Sequence, residues 1–332
     1  MRIILKCDVG NEIGTGHFYR CNLLKAAFKE NGIDAYLAVQ YLDENPITLN
    51  HDICIHKEDE LLDILKELKF SALVLDVFHT QNHNNSSIYE HLKILKKYTK
   101  ISFIDGLFDD QCPTLFYEYI DTLITPYVQL TSKKDHINHL QGKDFLMMDS
   151  SRLIQGKTIH QNANHLLLTF GGSDPWNQTV KTLQKLTLID ATKQIDVRVL
   201  IGPCMTKDKI EQCQEFIKYF KNLNLIFNAQ DLRNCFEWAD LAITNTGQTR
   251  YELAASGIPF IILPFDKEGY KKSTIFVDLG AANLSSNLCG KEILRLLKDH
   301  KKRQQMSANG IKYFYNQNGI NNLARKIIEV FQ

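Results

Sequence analysis

Ile3-Ile4-Leu5-Lys6-Cys7-Asp8 leads through a short connection to Ile13-Gly14-Thr15-Gly16-His17, and from there into the segment Phe18 to Glu30. An apolar strand, a glycine turn and a helix start bring backbone N–H groups to one place, where an anionic ligand can sit. Such turns also serve only to reverse the chain, because glycine admits backbone angles that other residues avoid. His17 adds an imidazole on the rim, which either exchanges protons near neutral pH or merely caps and packs the first helical turn.

Phe18, Cys21, Leu24 and Phe28 recur at helical spacing, with Lys25, Lys29 and Glu30 on other faces, which predicts an amphipathic helix stopped by Asn31-Gly32. Apolar runs at Ala35 to Val39, Ala72 to Leu75, Ile101 to Ile104, Leu123 to Ile124 and Phe145 to Met148 then alternate with helix-compatible segments such as Leu61 to Leu68. This rhythm predicts a parallel α/β sheet. Asp149 to Asn164 is polar and irregular, and places a domain junction that divides the chain into 1–155 and 156–332. A second series follows, with strands predicted at His165 to Phe170, Val197 to Ile201, Leu225 to Phe227, Leu241 to Thr244 and Phe260 to Leu263. Leu323, Ile327, Ile328 and Phe331 predict a terminal amphipathic helix over Asn321 to Phe331, assigned to the second domain. Two similar α/β halves make a cleft between them the natural ligand site.

The 332 residues are 44% hydrophobic, enough for two packed cores. With 39 Lys and Arg against 38 Asp and Glu, the formal net charge is +1, and no global field argues for nucleic acid. The chain opens on a strand without the pattern of a signal peptide, and no apolar run approaches the roughly 20 residues of a membrane span, so a cytoplasmic protein is expected. Eight scattered cysteines lack the short paired spacing of a zinc or redox site and read as free thiols. His79 and His83 fall in a hydrophilic stretch that reads as a solvated turn, and Lys301 to Arg303 reads as a solvated helix face. No metal, flavin or nicotinamide signature is present, and no cofactor is expected.

Gly171-Gly172-Ser173-Asp174 closes the strand before it, and the lack of bulky side chains lets backbone amides approach phosphate oxygens, or simply permits a tight turn. Trp176 beyond it is a lid over a base or a cover for the domain edge. Thr244-Asn245-Thr246-Gly247-Gln248-Thr249 leads into the helical Tyr251-Glu252-Leu253-Ala254-Ala255, and its hydroxyls and amides suit a diphosphate. Glu252 either accepts from a ribose diol or is a surface carboxylate near a helix start.

Asp8, Ile13-Gly14-Thr15-Gly16-His17 with Arg20-Cys21, Phe170-Gly171-Gly172-Ser173-Asp174 and Thr246-Gly247-Gln248-Thr249-Arg250-Tyr251-Glu252 together resemble the nucleotide-sugar hydrolases of pseudaminic acid biosynthesis. Asp105 after a strand and a Lys143-Asp144-Phe145-Leu146 strand extend the resemblance over most of the chain. That family acts on a UDP-linked diacetamido-trideoxy hexose and is similar to MurG-type glycosyltransferases. The resemblance implies a GT-B-like α/β fold, two Rossmann-like domains facing a cleft, the first with the catalytic loop and the second binding the nucleotide sugar. It also implies a UDP-sugar as its small-molecule substrate, and water attacking the anomeric carbon without a required metal; a monomer is expected. His17 is then the general base, and Asp8 either supports its loop or is structural. Gly14, Gly16, Arg20, Asp76 and Phe78 join the substrate site, with Gly171, Gly172, Ser173, Thr246, Gly247, Gln248 and Glu252 on the nucleotide.

Two segments depart from the family pattern. Asp76-Val77-Phe78-His79 stands where an Asp-His-Tyr-like segment contacts the sugar, and Glu268-Gly269 stands where an Asn-Gln pair is usual. Two other activities fit the same residues: a glycosyltransferase that uses an acceptor instead of water, and a protein that binds a nucleotide sugar without turning it over. The neutral charge balance and the absence of a hydrophobic hairpin disfavour a membrane-docked transferase.

Overall fold

In the computed structural model of the protein, which describes residues 1–10, 13–43, 49–57, 59–77, 85–105, 114–128, 137–227, 232–288 and 290–332, the first apolar run forms β1 (Arg2–Val9) and the predicted helix forms α1 (Gly16–Glu30). Side chains alternate along β1: Ile3, Leu5, Cys7 and Val9 pack with Phe18, Cys21, Leu24 and Phe28 of α1, while Ile4 joins the core on the other side. Both faces are covered, which explains the almost continuous apolar run. The stop signal works as predicted, with Gly32 at φ +75° and Asn31 Nδ2 donating to the Ala27 carbonyl at 2.8 Å.

The chain divides into two units, Met1–Met148 with Asn316–Gln332, and Asp149–Tyr315. The first adds β2 (Asp34–Tyr41), β3 (Ile53–Ile55), α2 (Glu60–Leu68), β4 (Ala72–Asp76), α3 (Asn85–Leu95), β5 (Lys100–Ile104), β6 (Thr122–Ile124) and β7 (Asn138–Leu140). These make a parallel seven-stranded sheet in the order β3-β2-β1-β4-β5-β6-β7. The second unit contains β8 (His165–Thr169), α4 (Gln178–Thr187), β9 (Asp196–Ile201), α5 (Lys207–Glu215), β10 (Asn222–Phe227), α6 (Leu232–Trp238), β11 (Leu241–Thr244) and α7 (Thr249–Ala255). It continues with β12 (Phe260–Ile262), α8 (Lys267–Asp278), β13 (Asn283–Leu284), α9 (Gly290–Lys298) and α10 (His300–Phe314). Its parallel sheet runs β10-β9-β8-β11-β12-β13.

Two expectations need correction. The terminal helix α11 (Gly319–Phe331) belongs to the first unit, not the second, because Ile320, Leu323, Ala324, Ile327 and Phe331 complete the core that β1 and α1 begin. Lys100 Nζ donates to the Val330 and Phe331 carbonyls at 3.1 Å, which anchors the helix end. Phe145 to Met148 is not a strand. Lys143–Phe145 is a single 3-10 turn packed on α11, where Asn322 Nδ2 donates to the Asp144 carbonyl, and Leu146, Met147 and Met148 beyond it are buried, Met147 in the core that α11 completes. The edge of the sheet is β7, whose three residues carry too little pattern to show in the sequence.

No helix among the described residues is long and apolar enough to cross a membrane.

Candidate functional site

In each sheet the strand order reverses direction once, at β1/β4 and at β8/β11, and in open α/β sheets ligands bind beyond the carboxyl ends of the strands at that point. The glycine turns singled out in the sequence follow β1 and β8, and the Thr246 turn follows β11.

At the first reversal, β1 and β4 pair with Cys7 opposite Asp76, so the Asp76 side chain shares the sheet face covered by α1. Gly14 takes φ +73° and its N–H donates to the Gly10 carbonyl at 2.7 Å, which lets α1 begin at Gly16. His17 and Arg20, one turn apart on α1, both reach Asp76. Asp76 Oδ1 accepts from His17 Nδ1 at 2.6 Å and from Arg20 Nη2 at 2.8 Å, and Oδ2 accepts from Arg20 Nε at 2.8 Å. Burial alone would raise the carboxyl pKa of Asp76, which exposes no surface, but the Arg20 guanidinium and then His17 hold it well below the usual carboxylate range. Burial likewise pulls Arg20 down, and Asp76 more than reverses it.

An ionised Asp76 only accepts, so Nδ1 of His17 carries the proton it donates. The 3.2 Å approach of Arg20 Nη2 to Nδ1 therefore sets two donors side by side and is not a hydrogen bond. Among the described residues Nε2 has no partner, and in a neutral imidazole with the proton on Nδ1 it carries the lone pair. A partly exposed imidazole oriented by a buried carboxylate can take a proton through Nε2.

The structure brings His17, Arg20 and Asp76 together and assigns the two substrate contacts to each other. Asp8 lies elsewhere. It is on the opposite face of β1 from Cys7 and accepts from Lys6 Nζ at 2.5 Å in a buried pair, so the carboxylate supporting His17 is Asp76. Phe78, His79 and His83 lie outside the described residues, as do Cys112 and Cys289.

At the second reversal one side chain joins both turns. Asn245 Nδ2 donates to the Phe170 carbonyl at 2.8 Å and its Oδ1 accepts from Gly247 N–H at 2.9 Å. Gly171 has φ +84°, and a Cβ on Gly202 would stand 2.3 Å from the Gly171 and Gly172 carbonyl oxygens, so the end of β9 closes against this turn only as glycine. Lys209 Nζ donates to the Ser173 and Asp174 carbonyls. The start of α4 is already filled by a side chain of this chain: Asp174 accepts from the Gln178 and Thr179 N–H groups at 2.8 Å each. Those two amides of α4 are therefore closed to an external anion.

Thr246 is buried, and Gln248 stands before the first turn of α7. Gly269 in the departing Glu268-Gly269 segment lies against Thr246, whose Cγ2 would be 2.9 Å from an added Cβ. Glu252 is no surface carboxylate. It is buried, and Arg152 Nη1 lies 3.5 Å from its Oε1. Burial raises its pKa, Arg152 opposes this, and Asp149 adds to the rise. Trp176 stacks on Phe265 with ring centroids 3.7 Å apart.

Sequence reasoning missed Asp76 as the partner of His17 and Asn245 as the link between turns. The signal for the first was an acid ending an otherwise apolar strand, Ala72-Leu73-Val74-Leu75-Asp76.

No family model matches the chain. It is 24% identical over 294 residues to the pseudaminic acid cytidylyltransferase and UDP-2,4-diacetamido-2,4,6-trideoxy-beta-L-altropyranose hydrolase of Helicobacter pylori, a match covering 84% of this chain and 47% of that protein. The spore coat polysaccharide biosynthesis protein SpsG of Bacillus subtilis is 22% identical over 292 residues, covering 85% of this chain and 83% of that protein. The chain spans about half the length of the first curated relatives it matches. Among solved structures, Acinetobacter baumannii MurG superposes with a TM-score of 0.63 at 12% identity over 99% of this chain and 100% of that one. The fold is GT-B-like.

Proposed function

We propose that this chain hydrolyses a UDP-linked diacetamido-trideoxy sugar to UDP and the free sugar, as a cytoplasmic monomer, with His17 as general base. The observation that carries the reading is the 2.6 Å bond from His17 Nδ1 to a buried, ionised Asp76, which leaves Nε2 as the acceptor. Water attacks the anomeric carbon and passes a proton to Nε2. The bond from that carbon to the β-phosphate oxygen breaks, and its electron pair leaves with UDP. Asp76 fixes the tautomer and stabilises the imidazolium as it forms, and Arg20 is a positioning residue that keeps Asp76 ionised.

Gly14 and Gly16 shape the loop beside this base. In the second unit Gly171, Gly172, Ser173, Thr246, Gly247 and Gln248 meet the diphosphate, whose charge grows as the bond breaks. Glu252 takes the ribose diol. The Helicobacter pylori relative, whose name includes a hydrolase of such a substrate, supports the choice of sugar and reaction.

UDP release from this sugar tests the reading. The native protein should release UDP in water alone, and His17→Ala should lose about 10²–10⁴-fold in rate while calorimetry shows UDP binding retained. Undiminished release by the variant would sink the assignment. A transferase is the second reading, favoured by the likeness to MurG over the full length of both chains. Release that requires an added sugar acceptor would select it. Binding without any product would instead select a nucleotide-sugar sensor.

A further inference from the structure

The second unit carries a cavity of about 220 Å3 that none of the nucleotide-turn residues lines. Gln178, Lys181 and Lys185 enter it from one side of α4, Phe265 from the segment after β12, and Ser286 from the segment after β13, with Trp176 at its edge. Lys181 Nζ donates to the Trp176 carbonyl at 2.9 Å and Lys185 Nζ to Asn287 Oδ1 at 3.0 Å. Both partners are neutral, and among the described residues no carboxylate pairs with either ammonium. Of the hydroxyls that line it, that of Ser285 donates to Glu292 Oε2 at 3.0 Å.

Gln178 is buried in the wall of the groove, where its Nε2 donates to the Leu263 carbonyl at 2.9 Å. One further feature points to a ligand. Trp176 has Phe265 stacked on it and is still 43% exposed, an aromatic platform held rigid from behind.

We propose that this groove binds one anionic sugar, a single pyranose bearing a carboxylate or a phosphate. The anion lies between Lys181 and Lys185, and the ring packs on Trp176. The volume, below the roughly 300–1,000 Å3 of sites that hold larger ligands, fits a single ring. The two lysines select the anion.

Calorimetry on the full chain with glucuronate, glucose 6-phosphate, glucose, acetate and inorganic phosphate tests this. Saturable binding is expected for an anionic sugar, with glucose, acetate and phosphate each at least about tenfold weaker. Preference for glucuronate assigns a carboxylate, and preference for glucose 6-phosphate a phosphate. Lys181→Met and Lys185→Met should each weaken binding about tenfold, and Trp176→Leu should weaken the sugar without affecting acetate or phosphate. Circular dichroism checks that these partly exposed positions leave the fold intact. No saturable binding, bare anions binding as tightly as the sugars, or lysine variants with native affinity would each overturn the proposal. No nucleotide is present in the titration, so its outcome is independent of the hydrolase reading.

Discussion

Asp76→Ala removes the carboxylate that three side-chain nitrogen contacts converge on, and leaves the Arg20 guanidinium buried with no counter-charge among the described residues. Deleting one member of a buried pair costs roughly 3–5 kcal/mol, most of it the penalty of the stranded charge. With a urea dependence of roughly 1–3 kcal/mol per M, the unfolding midpoint of the first unit should fall by at least about 1 M. Asp76→Asn separates catalysis from stability. Its Oδ1 still accepts one Arg20 bond, but its Nδ2 donates, which turns His17 to the tautomer with Nε2 protonated. UDP release should then fall by about 10³–10⁴-fold with a smaller loss of stability. Replacing the pair together, Arg20→Met with Asp76→Leu, should recover much of the stability of Asp76→Ala but none of the activity, because no charge is then left unpaired. Urea unfolding followed by circular dichroism, beside a UDP-release assay, reads both quantities. A midpoint for Asp76→Ala within about 0.3 M of native would refute the argument from stranded charge.

Acid should expose the same residue. The folded pKa of Asp76 lies below its unfolded value of roughly 3.9, so its contribution is complete above that value and is lost as pH falls toward the folded pKa. Urea midpoints between about pH 5 and pH 3 should therefore decline more steeply for the native chain than for Asp76→Asn, and equal slopes would contradict the assignment. Gly202→Ala forces a methyl against two carbonyl oxygens and should destabilise the second unit by about 1–3 kcal/mol while raising KM for the UDP-sugar. Unchanged stability by urea unfolding would show that the turn yields. Glu252→Ala should bind UDP and its 2′-deoxy analogue equally by calorimetry, whereas the native protein should prefer UDP; a preference that survives the substitution removes Glu252 from the ribose.

Much of this was legible in the sequence where a pattern repeats within one element. The run Ile3 to Cys7, the spacing of Phe18, Cys21, Leu24 and Phe28, and the break at Asn31-Gly32 all foretold β1, α1 and its stop, because local burial and backbone preference decide them. Asp76 was visible as a polar residue ending an apolar strand, but its partners come from a helix far earlier in the chain, and only the β1/β4 register brings them together. The apolar stripe of α11 showed that it packs on something, and contained nothing to say on which core. Leu146, Met147 and Met148 misled for a related reason: burial beside α11 and burial within a sheet demand the same apolar composition.

The return of α11 to the first unit has a consequence for synthesis. A chain growing from its amino end has made all seven strands of the first sheet long before the residues that close their core exist, and must carry that apolar face exposed while the intervening 149–315 segment is produced. The second unit, continuous in sequence, can fold on the ribosome as soon as it emerges. Of these two units the first is thus begun before the second and completed after it, and the exposed face of β1 and α1 is where a chaperone has most to protect.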